Sequence, residues 1–160
     1  MIPDSRGETP AETAVSEMMA AQDIPRLRGH HLICLFFFQG EGYDEPFVSN
    51  LLDVMRSLDE AGQCLVAEGA DDVCGSCPWL APDGRCQEPN GGEDEIRRID
   101  TLALALLGAT PGEYLSRRAL REVVMSPAVA KPWLRDACQD CEWEGVCRPR
   151  WNEALSDRKR

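Results

Sequence analysis

The sequence Cys74-Gly-Ser-Cys77-Pro-Trp-Leu-Ala-Pro-Asp-Gly-Arg-Cys86 runs through Gln87-Glu-Pro-Asn-Gly-Gly92 into Glu93-Asp-Glu-Ile-Arg-Arg-Ile-Asp-Thr-Leu-Ala-Leu-Ala-Leu-Leu107. Its first part is rich in Gly, Pro, Asp and Asn and reads as loop. Such a loop has no apolar core of its own, and a metal is the natural agent to order it. The second part reads as a helix over Glu93–Leu107. Ile96, Ile99, Ala103, Leu106 and Leu107 share a face, acidic residues fill the first turn, and Gly108 ends it.

Downstream, Thr110, Pro111 and Glu113 form a capping-box pattern, predicting a helix through Tyr114, Leu115, Leu120, Val123 and Val124. Ser126 and Pro127 open a short helix through Trp133 and Leu134 that delivers the chain to Cys138. Upstream, Phe47, Leu51, Leu52, Val54, Met55 and Leu58 recur at helical spacing, predicting an amphipathic helix over Glu45–Ala61 stopped by Gly62. Cys64–Ala67 reads as one strand leading into the acidic turn Glu68–Asp72. The apolar run Leu32–Phe38 suits a buried helix or a strand, and the balance favours a short helix ending before Gly40. The fold class is therefore mainly α: a small helical domain with minor β and two cysteine-rich metal-binding loops. Residues 1–23 read as a flexible arm with a helical stretch around Glu12–Ala21, residues 24–151 as a single metal-binding domain, and residues 152–160 as a polar, fraying tail.

The formal charge of −11 over 160 residues repels phosphate backbones and anionic lipid. Nucleic acid and membrane are thus excluded as expected partners. The one cationic run, Arg158–Arg160, is terminal. The longest apolar run has seven residues, against the roughly 20 that span a bilayer. The first residues carry no basic segment followed by an apolar one, so no secretory leader is expected and a cytoplasmic location follows.

Eight cysteines in a reducing compartment point to metal or redox chemistry; a disulfide framework would require export. They are grouped. Cys74-x2-Cys77-x8-Cys86 forms one knuckle and Cys138-x2-Cys141-x5-Cys147 a second. Two intervening residues let a tight turn aim both sulfurs at one centre. Cys34 follows His30 by one helical turn, so the two could share a site. Cys64 reads as a small core hydrophobe.

Six or seven thiolates exceed the four that one structural zinc takes. An iron–sulfur cluster takes four cysteines, often three close in sequence and one remote. A [4Fe–4S] cluster held by the knuckles, in a redox or electron-transfer protein with a redox partner protein, is the first reading. The alternative is a structural zinc module organising an interaction surface, its acidic charge suited to a basic partner. Trp79 and Trp143 each follow a knuckle cysteine by two, as apolar cover for a cluster or as packing for a loop. His30 and His31 are the sole histidines and the candidate catalytic proton-transfer groups, with Asp71, Asp72 and Asp100 available to orient them. Their bland counterparts are a hydrogen bond at a helix start and a solvated turn.

The segment Arg26–Leu35 with its Gly-His-His-Leu-Ile-Cys core, Gly40-x-Gly42-Tyr43, Asp71-Asp72-Val-Cys74-x2-Cys77-Pro78, Cys86, Asp100 and Cys138-x2-Cys141-x-Trp143-x3-Cys147 resembles the DUF1284 proteins of bacteria and archaea from about Ile24 to Cys147. The resemblance implies iron–sulfur binding, brings Cys34 into the ligand set with Cys74, Cys77, Cys86, Cys138, Cys141 and Cys147, and supplies no reaction. The N-terminal arm is an extension beyond the family's pattern.

Overall fold

A computed structural model describes residues 24–38 and 40–157. The expected arm, its helical stretch and the Arg158–Arg160 run lie outside the described residues. Within them the chain is mainly α, with six α-helices around a three-stranded sheet.

Strand β1 (Arg26–Arg28) lies beside β2 (Gln63–Ala67), which lies beside β3 (Tyr114–Ser116). β1 and β2 are parallel, with Leu27 opposite Val66; β2 and β3 are antiparallel, with Cys64 opposite Leu115. Parallel neighbours need a long crossover. Here it is made by helices α1 (Gly29–Cys34) and α2 (Glu45–Ala61). The outer edge of β1 is closed by the acidic turn: Arg26 N donates to Asp72 Oδ2 and Arg28 N to Asp71 Oδ2, at 2.8 and 2.7 Å. An edge strand that would otherwise present unpaired amides is thereby sealed.

The α2 helix has the bounds its periodicity predicts. Asp44 caps it by accepting from Phe47 N at 2.8 Å, Pro46 occupies the first turn, and Gly62 at φ 69° ends it. Phe47, Leu51, Val54 and Leu58 are its buried stripe. Helix α3 spans Gly92–Leu107, one residue longer than expected, and ends at Gly108. Its fully buried residues are Glu93, Asp100 and Ala103, because this stripe faces a buried arginine as well as the apolar core. The leucines and isoleucines beside it are only half-buried.

The expected helix from Thr110 is corrected. Glu113 does reach back to Thr110 N at 2.8 Å, but the box closes a turn, and Tyr114–Ser116 pairs with β2 instead. The sheet ladder outcompetes the local cap, and α4 (Arg117–Val124) starts later, its Ser116 cap accepting from Ala119 N at 3.3 Å. Helix α5 (Pro127–Asp136) begins where Ser126-Pro127 predicts. Helix α6 (Glu144–Asp157) runs on past Trp151, so most of the stretch expected to fray is helical. Trp151 anchors it, buried and stacked on Phe37 with ring centroids 3.7 Å apart. No helix among the described residues is long and apolar enough to cross a membrane.

Leu27, Leu32, Ile33, Leu51, Val66, Val124, Trp133 and Trp151 form the centre of one continuous core. Cys64 sits within it, wholly buried. The α1 helix is pressed against α3: a Cβ on Gly29 would stand 2.4 Å from the Asp100 carbonyl oxygen. Only glycine permits that approach, and it places the His30, His31 and Cys34 segment where α3 and both cysteine loops converge.

Candidate metal centre

Both C-x2-C turns are built alike. Cys77 N donates to Cys74 O at 2.9 Å and Cys141 N to Cys138 O at 3.2 Å. In each, the residue three beyond the second cysteine then donates to that cysteine's carbonyl, at 3.2 Å for Leu80 and 3.1 Å for Glu144. In the first knuckle a turn at Ala81–Arg85 folds the chain back, so that Leu80 and Cys86 form an isolated bridge. In the second, Cys147 is carried by the opening turns of α6.

A cavity of about 240 Å³ lies between the two loops and α1. All seven cysteines singled out in the sequence, Cys34, Cys74, Cys77, Cys86, Cys138, Cys141 and Cys147, line it, as do His30 and His31. All eight cysteines are free thiols, and Cys64 is the one set apart, in the core. The expected aromatic cover is present. Tyr43 stands edge-on to Trp143 and to Trp79, at 5.4 and 6.4 Å, so one ring ties the tryptophans of both knuckles together.

Behind the cavity wall is a buried polar network. Arg28, 1 % exposed, donates Nε to Asp100 Oδ2 at 2.7 Å and approaches Glu93 Oε1 at 3.5 Å and the Cys74 sulfur at 3.9 Å. Asp100 Oδ1 also accepts the backbone N–H of His30 at 2.9 Å and lies 2.6 Å from its Nδ1. Asp71 Oδ2 lies 2.6 Å from His31 Nδ1, and its Oδ1 accepts from Val73 N and Cys74 N at 3.0 and 3.1 Å. An ionised carboxylate only accepts, so each imidazole donates its Nδ1–H to the aspartate it meets. Glu93 Oε2 accepts from Cys86 N at 2.7 Å. Thus each of the two buried acids Asp71 and Glu93 holds the backbone of a cysteine in the first knuckle.

Burial pushes every one of these thiols up: Cys74 and Cys138 to about 12, Cys147 to about 11, and Cys34, Cys77, Cys86 and Cys141 above their ordinary value. The neighbouring thiols Cys138, Cys141 and Cys147 add to the effect on Cys34. Such thiols become thiolates only when a cation offsets their desolvation, so ligation here releases protons. Burial first, then the charge of His31, lowers His30 to about 4. Burial opposes ionisation of Asp71, yet His31 and the donated amides hold it well below the usual carboxylate range. Asp100 is held near 2 in the same way by His30 and Arg28 against its burial.

The donor set fits a thiophilic metal group: seven thiols, two imidazoles whose Nε2 has no hydrogen-bond partner among the described residues, and a cavity far larger than the roughly 10–15 Å³ of one water. Of the remaining candidates, Asp72 is a strand-edge acceptor outside the cavity wall. Arg28 and Glu93 belong to the buried network behind the site and were missed; Trp133, which flanks the second knuckle in the sequence, and Tyr43, part of the family motif, line the cavity. Asp100 carried a readable signal, since it falls on the apolar stripe Ile96–Ala103 of a helix; Arg28 carried none.

A family model described as "Protein of unknown function (DUF1284)" matches residues 42–147. The match covers well over half of the chain, which therefore belongs to this family. It includes both knuckles, whereas the Gly29–Cys34 segment precedes it. No curated protein and no solved structure matches the chain.

Proposed function

We propose that this protein is an iron–sulfur protein of redox or electron-transfer type, with a [4Fe–4S] centre held by the two cysteine knuckles. The observation that carries the reading is the convergence of Cys34, Cys74, Cys77, Cys86, Cys138, Cys141 and Cys147 on one cavity. Spacing supports a centre larger than one ion. A tetrahedral zinc with ligands at about 2.3 Å sets its sulfurs roughly 3.8 Å apart. Among the described residues, no three cysteine sulfurs are gathered within 4.8 Å of one another; the group that is comprises His31, Asp71 and Cys74. That tighter group is what favours the alternative, a structural zinc module.

When bound, the cluster supplies one-electron chemistry. The chain's own residues do the rest. Cysteine thiolates ligate. Tyr43, Trp79 and Trp143 line the cavity as one aromatic group, the kind of surface that limits water at a metal centre. Arg28 places a fixed positive charge behind the Cys74 sulfur. His30, held on Asp100, is the candidate group to carry a proton at the cavity wall, and His31, held on Asp71, stands beside Cys74. Eight free thiols suit a reducing, cytoplasmic compartment. The acidic surface suits a protein redox partner rather than nucleic acid or membrane.

The test is anaerobic purification followed by iron, zinc and acid-labile sulfide analysis with a visible spectrum. Brown protein with broad absorption near ~400 nm and matched iron and sulfide is expected for a thiolate-held cluster. Colourless protein with stoichiometric zinc would leave the zinc module standing instead.

A further inference from the structure

We propose that the cavity holds two separate metal centres, one ligated by Cys34, Cys138, Cys141 and Cys147 and the other by Cys74, Cys77, Cys86 and the His31 imidazole. This rests on the cavity being a thiophilic metal site, as above, and adds how the ligands divide and which one is not a cysteine.

Helix α1 supplies one donor to each loop. Cys34 is its last residue and His31 lies three residues earlier, which puts the two side chains on neighbouring sides of a single turn. The thiols that bear most strongly on Cys34 are Cys138, Cys141 and Cys147, the whole of the second knuckle. This is the pattern of three local cysteines and one remote. Trp133 strengthens the assignment. The residue lines the cavity; its buried Nε1 makes no well-formed hydrogen bond among the described residues, and it bears on the Cys34 sulfur as a donor. An indole N–H left over in a dry pocket asks for an acceptor, and a ligating thiolate or an inorganic sulfide at Cys34 is one.

The first knuckle has three thiols, and Cys86 bears on Cys77. Its fourth donor is close by: a ligand atom of His31 lies within 4.8 Å of the Cys74 sulfur. Asp71 is in the same group but is spoken for. Its two oxygens already serve Arg28 N, His31 Nδ1, Val73 N and Cys74 N, which fills the roughly four acceptor positions of a carboxylate. It is therefore a positioning residue, and the group it positions is His31. A carboxylate on one ring nitrogen is the usual support behind a metal-ligating histidine, fixing Nε2 as the ligand. The same carboxylate also holds the amide of Cys74, so one side chain sets the relative placement of two ligands from distant parts of the chain.

The experiment compares the full chain with Cys138→Ser, His31→Ala and His31→Cys, all purified anaerobically, reading iron, zinc and sulfide per chain and the pulsed EPR of the reduced protein. For a zinc-filled site, the d–d bands of the cobalt-substituted protein replace EPR. The proposal expects Cys138→Ser and His31→Ala each to lose the metal of one centre and retain the other. It expects His31→Cys to keep the full metal content with an altered spectrum. It expects the wild type to show imidazole nitrogen coupled to one centre, a readout that needs no variant to fold. Full metal content in His31→Ala, or no nitrogen coupling in the wild type, would overturn it. So would Cys138→Ser losing all metal while His31→Cys keeps it. If the chain carries zinc alone, the iron–sulfur reading falls, and the division is still read as two zinc per chain falling to one.

Discussion

Arg28→Met removes the one fully buried cation among the described residues and leaves its shape roughly filled. Arg28 donates to Asp100 at 2.7 Å and pairs with Glu93 at 3.5 Å, with side-chain exposures of 2 %, 12 % and 4 %. Breaking a buried pair by deleting one partner costs about 3–5 kcal/mol, because the other charge stays buried without compensation. Two features pull the value to the low end. Glu93 keeps Cys86 N and Arg97 Nε, and Asp100 keeps both donors of His30. A loss near 3 kcal/mol corresponds to a melting shift of about 6–12 °C for a domain of this size. The assay is thermal and urea denaturation of Arg28→Met, Asp100→Asn and the double variant. The double variant should be more stable than the sum of the singles predicts, since neutralising Asp100 removes the orphaned charge. A shift under about 2 °C for Arg28→Met, or strict additivity, would refute the reasoning.

Four further outcomes are expected. Gly29→Ala sets a methyl 2.4 Å from the Asp100 carbonyl, so it should lower stability by about 1–3 kcal/mol and loosen α1 from α3, seen as faster amide exchange in α1. Trp151→Ala removes the ring that stacks on Phe37 and should cost about 3–5 kcal/mol by chemical denaturation, whereas Cys64→Ser should leave metal content unchanged because that thiol is in the core and off the cavity. Acid should act on the metal-free protein in two steps. His30 is lowered on folding to about 4, so the unfolded chain gains a proton first and stability falls as pH drops from about 6.5 toward 4. Asp71 and Asp100 are depressed in the fold, so their contribution, present above about pH 4, is lost below it. A His30→Gln variant should lack the upper step in a denaturation series against pH.

The helices with strong local signals were readable from composition and periodicity. Asp44, Pro46 and Gly62 bracket α2 where capping chemistry puts them, and Gly108 ends α3. What was not readable depends on partners far along the chain. β1 is three residues with arginine at both ends, and only its pairing with Leu65–Ala67 and the Asp71–Asp72 turn makes it a strand. The Thr110 box was real locally and lost to the β2 ladder. At the site, cysteine spacing picked out thiols that line one cavity, and the C-x2-C-x-Trp repeat of the second knuckle has its counterpart in Cys74-x2-Cys77-Pro-Trp79. The buried Arg28 was invisible, since an arginine between Leu27 and Gly29 reads as exposed. The pairing of Asp71 with His31 and Asp100 with His30 spans 40 and 70 residues, a separation no local pattern encodes.

In the proposed function, thiols from both loops and α1 meet around inorganic matter. X-ray absorption at the iron and zinc edges of anaerobically purified protein tests it most directly. Iron in an all- or mostly sulfur shell with a short iron–iron distance is expected, weakened when either Cys74 or Cys141 is changed to Ser. Protein that carries neither iron nor zinc after anaerobic handling, or metal content indifferent to both substitutions, would contradict it.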